Sequence, residues 1–179
     1  MRRILPLLLA LALPALAGEP GQALVLRNAP VALYFSPNGG AMEAIVEAIQ
    51  TARKTVKVQA YSFTAAPIAK ALTDAAERGV QVQVVVDHSQ LTERYSVIDF
   101  LQKRGVLVLV DSAHAIAHSK VIVIDGEVVI TGSYNFSKSA EERNLENLLV
   151  IRDRTLAAPY MANWALHARH SEEPVVRDR

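Results

Sequence analysis

The chain has 179 residues, with 19 lysines and arginines against 18 aspartates and glutamates, and no cysteine. The missing cysteines exclude disulfide stapling and any thiolate metal site. The near-neutral balance excludes a uniformly basic coat for nucleic acid, so a polyanion surface would have to be local, drawn from Arg53, Lys54 and Lys57, from Lys103 with Arg104, or from Lys138 with Arg143.

At the start, Arg2 and Arg3 precede an apolar run that ends in the small-x-small triplet Ala15-Leu16-Ala17. This is the layout of a secretory signal peptide over residues 1–17, with cleavage before Gly18 and release to the periplasm or beyond. The run contains Pro6 and Pro14 and falls short of the roughly 20 residues a spanning helix needs, so no stable membrane insertion is expected after cleavage. Removing the two arginines leaves 17 basic residues (19 less 2) against 18 acidic, a formal charge of −1. Residues 18–179 have the size of one domain with a full core.

From Val31 the pattern alternates strand and helix, the mark of an α/β domain on a largely buried sheet. Val31 to Phe35 reads as a strand, stopped by Ser36-Pro37-Asn38-Gly39-Gly40. Met42, Ile45, Val46 and Ile49 follow at helical spacing to about Arg53. Thr55 to Ser62 is the next strand, and Pro67, Ile68, Leu72 and Ala75 mark a helix that Gly79 ends. Val80 to Asp87 is almost continuously apolar, as in a strand covered on both faces. A helix through Val97, Ile98 and Leu101 and a strand from Val106 to Val110 complete the alternation. Two strand-like runs, His118 to Ile124 and Glu127 to Thr131, then meet at Asp125-Gly126, a strong hairpin signal. A strand from Leu145 to Ile151 and a last helix capped by Asp153 or Thr155 follow. Tyr160 and Trp164 on that helix are expected to pack a core or an interface, and Ser171 to Arg179 to fray.

The chemistry gathers in the hairpin. His118 and Lys120 are two apart, so on a strand they leave the same face. Asp125 has the opposite parity and is expected to order the turn. Beyond it, Gly132-Ser133-Tyr134-Asn135 sets a hydroxyl and an amide two apart, and an antiparallel return brings Gly132 opposite His118. Imidazole, ammonium, hydroxyl and amide around a glycine that permits close backbone approach make an anion-binding set. Ser133 is not a serine-hydrolase nucleophile, because Gly-Ser-Tyr-Asn lacks the second glycine of a nucleophile elbow.

His118-x-Lys120-x4-Asp125-Gly126, followed after six residues by Gly132-Ser133-x-Asn135, resembles the HKD motif of the phospholipase D superfamily. The similarity spans nearly all of residues 18–179 and is to the short, single-motif bacterial endonucleases of that superfamily. Tyr34-Phe35-Ser36-Pro37 and Tyr61-Ser62-Phe63-Thr64 look like the ends of the family's first two strands. The resemblance implies an α-β-α sandwich, a mixed, mostly parallel sheet flanked by helices, with one half-site per chain. It also implies a metal-independent phosphodiesterase working through a phosphohistidine. In that reading His118 is the nucleophile, Lys120 and Asn135 hold phosphate oxygens, Ser133 assists, and Glu146 accepts the other ring N–H of His118. No other histidine begins an H-x-K, so a second motif would come from a homodimer sharing one active site.

No cofactor is expected, and the ammonium groups take the place of a metal. Asp87-His88 and Asp111-x-x-His114 are possible ligands but match no defensible metal spacing; His88 and Lys138 are left as substrate-rim candidates. Nucleic acid is the expected substrate, DNA or RNA, with a phospholipid diester as the alternative and a catalytically silent nucleic-acid-binding module as the reading of another class.

Overall fold

The parallel half of the protein is built by strand-helix-strand units. β1 (Val31–Ser36), α1 (Ala41–Gln50), β2 (Thr55–Ala60), α2 (Ala66–Glu77), β3 (Gln81–Asp87), α3 (Ile98–Lys103) and β4 (Leu107–Asp111) are followed by β5 (Lys120–Ile124), β6 (Val128–Gly132), α4 (Lys138–Glu142), β7 (Glu146–Arg152) and α5 (Arg154–Ala168). These come from a computed structural model that describes residues 21–175. The expected signal peptide lies outside the described residues.

The strands form one sheet in the order β1-β7-β6-β5-β2-β3-β4. Only β2·β3 and β3·β4 are parallel, and the other four pairings are antiparallel. The sheet is therefore mixed, as expected: five strands run one way, and β5 and β7 run against them. The tight β5–β6 turn and the short link through α4 reverse the chain each time, and only a long crossover can keep strands parallel.

Strand parity divides the core. Val56, Val58, Val84, Val108, Ile122, Ile130 and Leu148 face α1, α2 and α3 in the main cluster. Val121, Val123 and Val129 face α5, against Ala157, Leu156, Tyr160 and Met161. Asp153 caps α5 by accepting the Leu156 N–H at 2.8 Å. Trp164 packs inward, its indole N–H donated to the Val58 carbonyl at 2.9 Å and its ring 4.7 Å from the Lys57 ammonium.

Two expectations change. Lys57 is buried beneath Trp164 and donates to Gln83, and Arg53 and Lys54 sit at the start of β2, the end of the sheet away from His118. None of the three can line a groove leading to that histidine. The segment after α5 does not simply fray either: Glu172 pairs with Val110, and Gln102 donates to the Pro174 carbonyl at 3.0 Å. β4 is an edge strand whose free backbone groups recruit the passing chain.

Candidate active site

β2 and β3 end, and β5 begins, at one edge of the sheet, and His118 lies there, exposed, two residues before β5. The loop that carries it is tied down by Asp87, the last residue of β3. The Asp87 carboxylate is 1% exposed and accepts the N–H of Ala117 at 2.7 Å and of Ser89 at 2.9 Å. Burial pushes this carboxyl up, but the hydrogen bonds from Ser89 and Ala117 outweigh it and hold the group below its ordinary value. From the other side the Tyr61 N–H donates to the Ser119 carbonyl at 2.9 Å, and the Tyr61 ring rests 4.4 Å from the His118 ring.

Lys120, the first residue of β5, is 8% exposed. Its ammonium lies 2.9 Å from Nδ1 and 3.1 Å from Nε2 of His118, donates to the His118 carbonyl at 2.9 Å, and sits 5.1 Å from the Tyr61 ring. His118 is not on the strand, yet the two side chains meet. The ammonium thus faces both ring nitrogens of His118 at hydrogen-bond distance. Burial lowers the Lys120 value, and the nearby Glu146 charge opposes that shift.

The register Val121↔Thr131 carries Gly132 and Ser133 up to the same edge. Gly132 has φ +153°, and a Cβ there would stand 2.2 Å from the Asn147 carbonyl oxygen. Its close approach is therefore to β7, which brings β7 alongside the site. The Ser133 hydroxyl donates to Glu146 Oε2 at 2.6 Å and accepts the Asn147 N–H at 3.1 Å. Asn144 fills Glu146 Oε1 at 3.0 Å. The expected bond between Glu146 and His118 is thus not made within the chain: β6 lies between β7 and β5, and Ser133 intercepts the carboxylate. Asn135 stands between the buried Tyr134 and Phe136, its side-chain oxygen buried without a hydrogen bond.

Asp125 lies at the other end of β5. Its carboxylate accepts the N–H groups of Arg53, Lys54 and Thr55 at 2.9, 2.8 and 2.8 Å, and Gly126 (φ 64°) completes the turn with it (φ 53°). His88 is half exposed beside Asp87, and Lys138 points outward and pairs with Glu142 at 3.4 Å.

Two features escaped sequence reasoning. Asp87 and Tyr61 support His118 from neighbouring strands, and only the sheet order makes them neighbours. Asp111 and His114 are joined by His167 and His170 from the end of α5, a group of four whose ligand atoms lie within 4.8 Å of one another. These are the residues that could hold a metal. His167 is lowered, chiefly by burial and then by the adjacent His114.

A family described as "Cardiolipin synthase, PLD-like domain" matches residues 45–165. A phospholipase D of Rickettsia bellii is 42% identical over 139 residues, 78% of this chain and 69% of the relative. A mitochondrial cardiolipin hydrolase of Xenopus tropicalis is 32% identical over 63% of this chain and 54% of its own length. Among solved structures, the phospholipase D family member Nuc of Salmonella typhimurium superposes with a TM-score of 0.79 at 36% identity, covering 82% of this chain and 98% of Nuc. NucT of Helicobacter pylori gives 0.75 at 27% identity, covering 82% and 99%. With this fold and these relatives, the chain belongs to the phospholipase D superfamily and is a phosphodiesterase of that group.

Proposed function

We propose that the chain is an exported endonuclease that cuts phosphodiester bonds of DNA or RNA without a catalytic metal, in a site shared by two copies. The observation that carries the chemistry is the His118 imidazole held against the buried Lys120 ammonium at the mouth of an open cleft. His118 attacks phosphorus, and the bond to the leaving oxygen breaks as a phosphohistidine forms. The second copy's identical imidazole gives its proton to that oxygen, then takes one from water as the water displaces the first imidazole. Lys120 and Asn135 hold the non-bridging oxygens, and Glu146 acts through Ser133 to fix that wall.

A nucleic-acid substrate is supported by the near end-to-end match with the compact Nuc and NucT chains. The cleft beside His118 carries both polar groups, such as Gln59 and Ser119, and apolar ones, such as Val85 and Ile116. Pairing is supported by an apolar stripe. Val31, Leu33 and Phe35 on edge strand β1 are 54, 53 and 56% exposed, on the face that α5 leaves uncovered. Phe35 stands opposite Asn147, which touches Ser133, so a two-fold contact on this stripe runs up to the site.

A lipid diester is the second reading, favoured by Ile116 and Leu145, exposed on segments flanking the site, and by the name phospholipase D among the relatives. The deciding assay is side by side: plasmid nicking, RNA cleavage, and hydrolysis of phosphatidylcholine and cardiolipin, all in EDTA, with wild type and His118→Ala. Nicking by wild type alone supports the proposal. Lipid hydrolysis with intact nucleic acid overturns it in favour of the second reading.

A further inference from the structure

Under α5, β4 ends in a group of side chains that the proposed reaction does not use. The Asp111 carboxylate is 1% exposed, and its Oδ1 accepts the backbone N–H groups of Ala113 at 3.0 Å and His114 at 3.4 Å. Its Oδ2 is left facing three imidazoles: His114 Nδ1 at 2.9 Å, His170 Nε2 at 3.3 Å and His167 Nδ1 at 3.5 Å. The three ring centroids stand 4.9 to 5.3 Å apart.

Hydrogen bonding alone serves this group badly. His114 Nδ1 is shared between both Asp111 oxygens, at 3.1 Å from Oδ1 and 2.9 Å from Oδ2, and His170 takes Oδ2 as well, yet His167 Nδ1 is buried with no hydrogen-bond partner. A cation at the centre removes that deficit, because each nitrogen and the oxygen then gives it one lone pair. Bonds of about 2.0–2.1 Å in a tetrahedron place ligand atoms roughly 3.3 Å apart. The three contacts to Asp111 Oδ2 straddle that value, and the four ligand atoms, all within 4.8 Å of one another, need the rings to close only slightly on the ion. The donors also select the ion: three imidazoles and one carboxylate suit zinc and its neighbours, whereas calcium and magnesium want oxygen.

We propose that Asp111, His114, His167 and His170 bind one zinc-class divalent cation per chain. Four protein ligands close the coordination shell, so the ion is structural. It clips the end of α5 to the end of β4 and to the loop that runs from His114 to His118, and so stiffens the wall beside the candidate nucleophile.

The test uses the full chain made without a histidine tag, stripped with EDTA, dialysed, saturated with zinc sulfate and desalted, with metal content read by mass spectrometry. One zinc per chain is expected, together with a higher Tm than the stripped protein and, on cobalt substitution, the intense visible bands of tetrahedral cobalt. The double variant His167→Ala/His170→Ala should lose the zinc, and His118→Asn should keep it. If the double variant is not folded by circular dichroism, His114→Gln on the loop takes its place. Substoichiometric zinc in wild type overturns the proposal, as does zinc that survives ligand removal or leaves with His118→Asn. Metal content is read without turnover, so an inactive enzyme and an empty site are separate results.

Discussion

The carboxylate of Asp87 accepts the backbone N–H of Ala117 at 2.7 Å, one residue before His118. A buried side chain at the end of β3 thereby fixes the loop that carries the imidazole. Asp87→Asn keeps the size but halves the accepting capacity. Its expected outcome is a kcat roughly tenfold to a hundredfold lower with KM little changed, since misplacement of a reacting group by a fraction of an ångström costs that order of rate. Steady-state kinetics at a temperature where circular dichroism shows the variant folded checks this.

Lys120 serves both the His118 ring and, in the proposed reaction, the phosphate. Lys120→Met should lower kcat/KM on the order of a hundredfold to a thousandfold, the usual cost of removing a charge that stabilises the transition state. Lys120→Arg should not restore it, because a planar guanidinium cannot occupy the pocket between the His118 ring, its carbonyl and Tyr61. Single-turnover rates on a short nucleic-acid substrate are the measure.

Asp125 is a staple for the fold, well away from the chemistry. Burial raises its carboxyl, but the N–H groups of Thr55, Arg53 and Lys54 hold it below the ordinary 3.8. A carboxylate depressed in the folded state contributes stability that is present above its unfolded value and lost as pH falls through its folded value. Asp125→Ala should therefore cost roughly 2 kcal/mol or more near neutral pH, with the deficit shrinking below about pH 4. Urea melts of both proteins across that range give the answer.

Gly132→Ala should be more damaging than an ordinary exposed-strand change. The new methyl carbon would meet the Asn147 carbonyl 2.2 Å away, which β6 and β7 can relieve only by separating. A loss of roughly 2–3 kcal/mol is expected from strain and overpacking, seen as a lower Tm.

Much of this architecture is legible in the sequence for local reasons. Asp125-Gly126 announces the hairpin because only residues tolerant of positive φ fit its turn, and His118-x-Lys120 with Gly132-Ser133-x-Asn135 is read from the register such a hairpin imposes. What the sequence does not carry is strand order. Glu146 looks able to reach His118 until β6 is found between them, and Lys57 looks like a groove lysine until Trp164 covers it. Asp87, Tyr61 and the His167–His170 pair stay hidden for the same reason, since each meets its partners only after strands distant in sequence lie side by side.

The shared site makes its own prediction. Mixed dimers of wild type and His118→Ala should fall far below half the wild-type rate, since each site then holds one imidazole where two roles must be filled. Full activity from a monomer on a sizing column would rule out sharing.

The central claim is that His118 becomes covalently bonded to phosphorus. Its most direct test is single-turnover reaction with a radiolabelled diester in EDTA, quenched in alkali to preserve a phosphohistidine, with the labelled peptide mapped by mass spectrometry. The account predicts label on the peptide containing His118 and none in His118→Asn. Cleavage without label on that peptide, or label on Ser133, would contradict it.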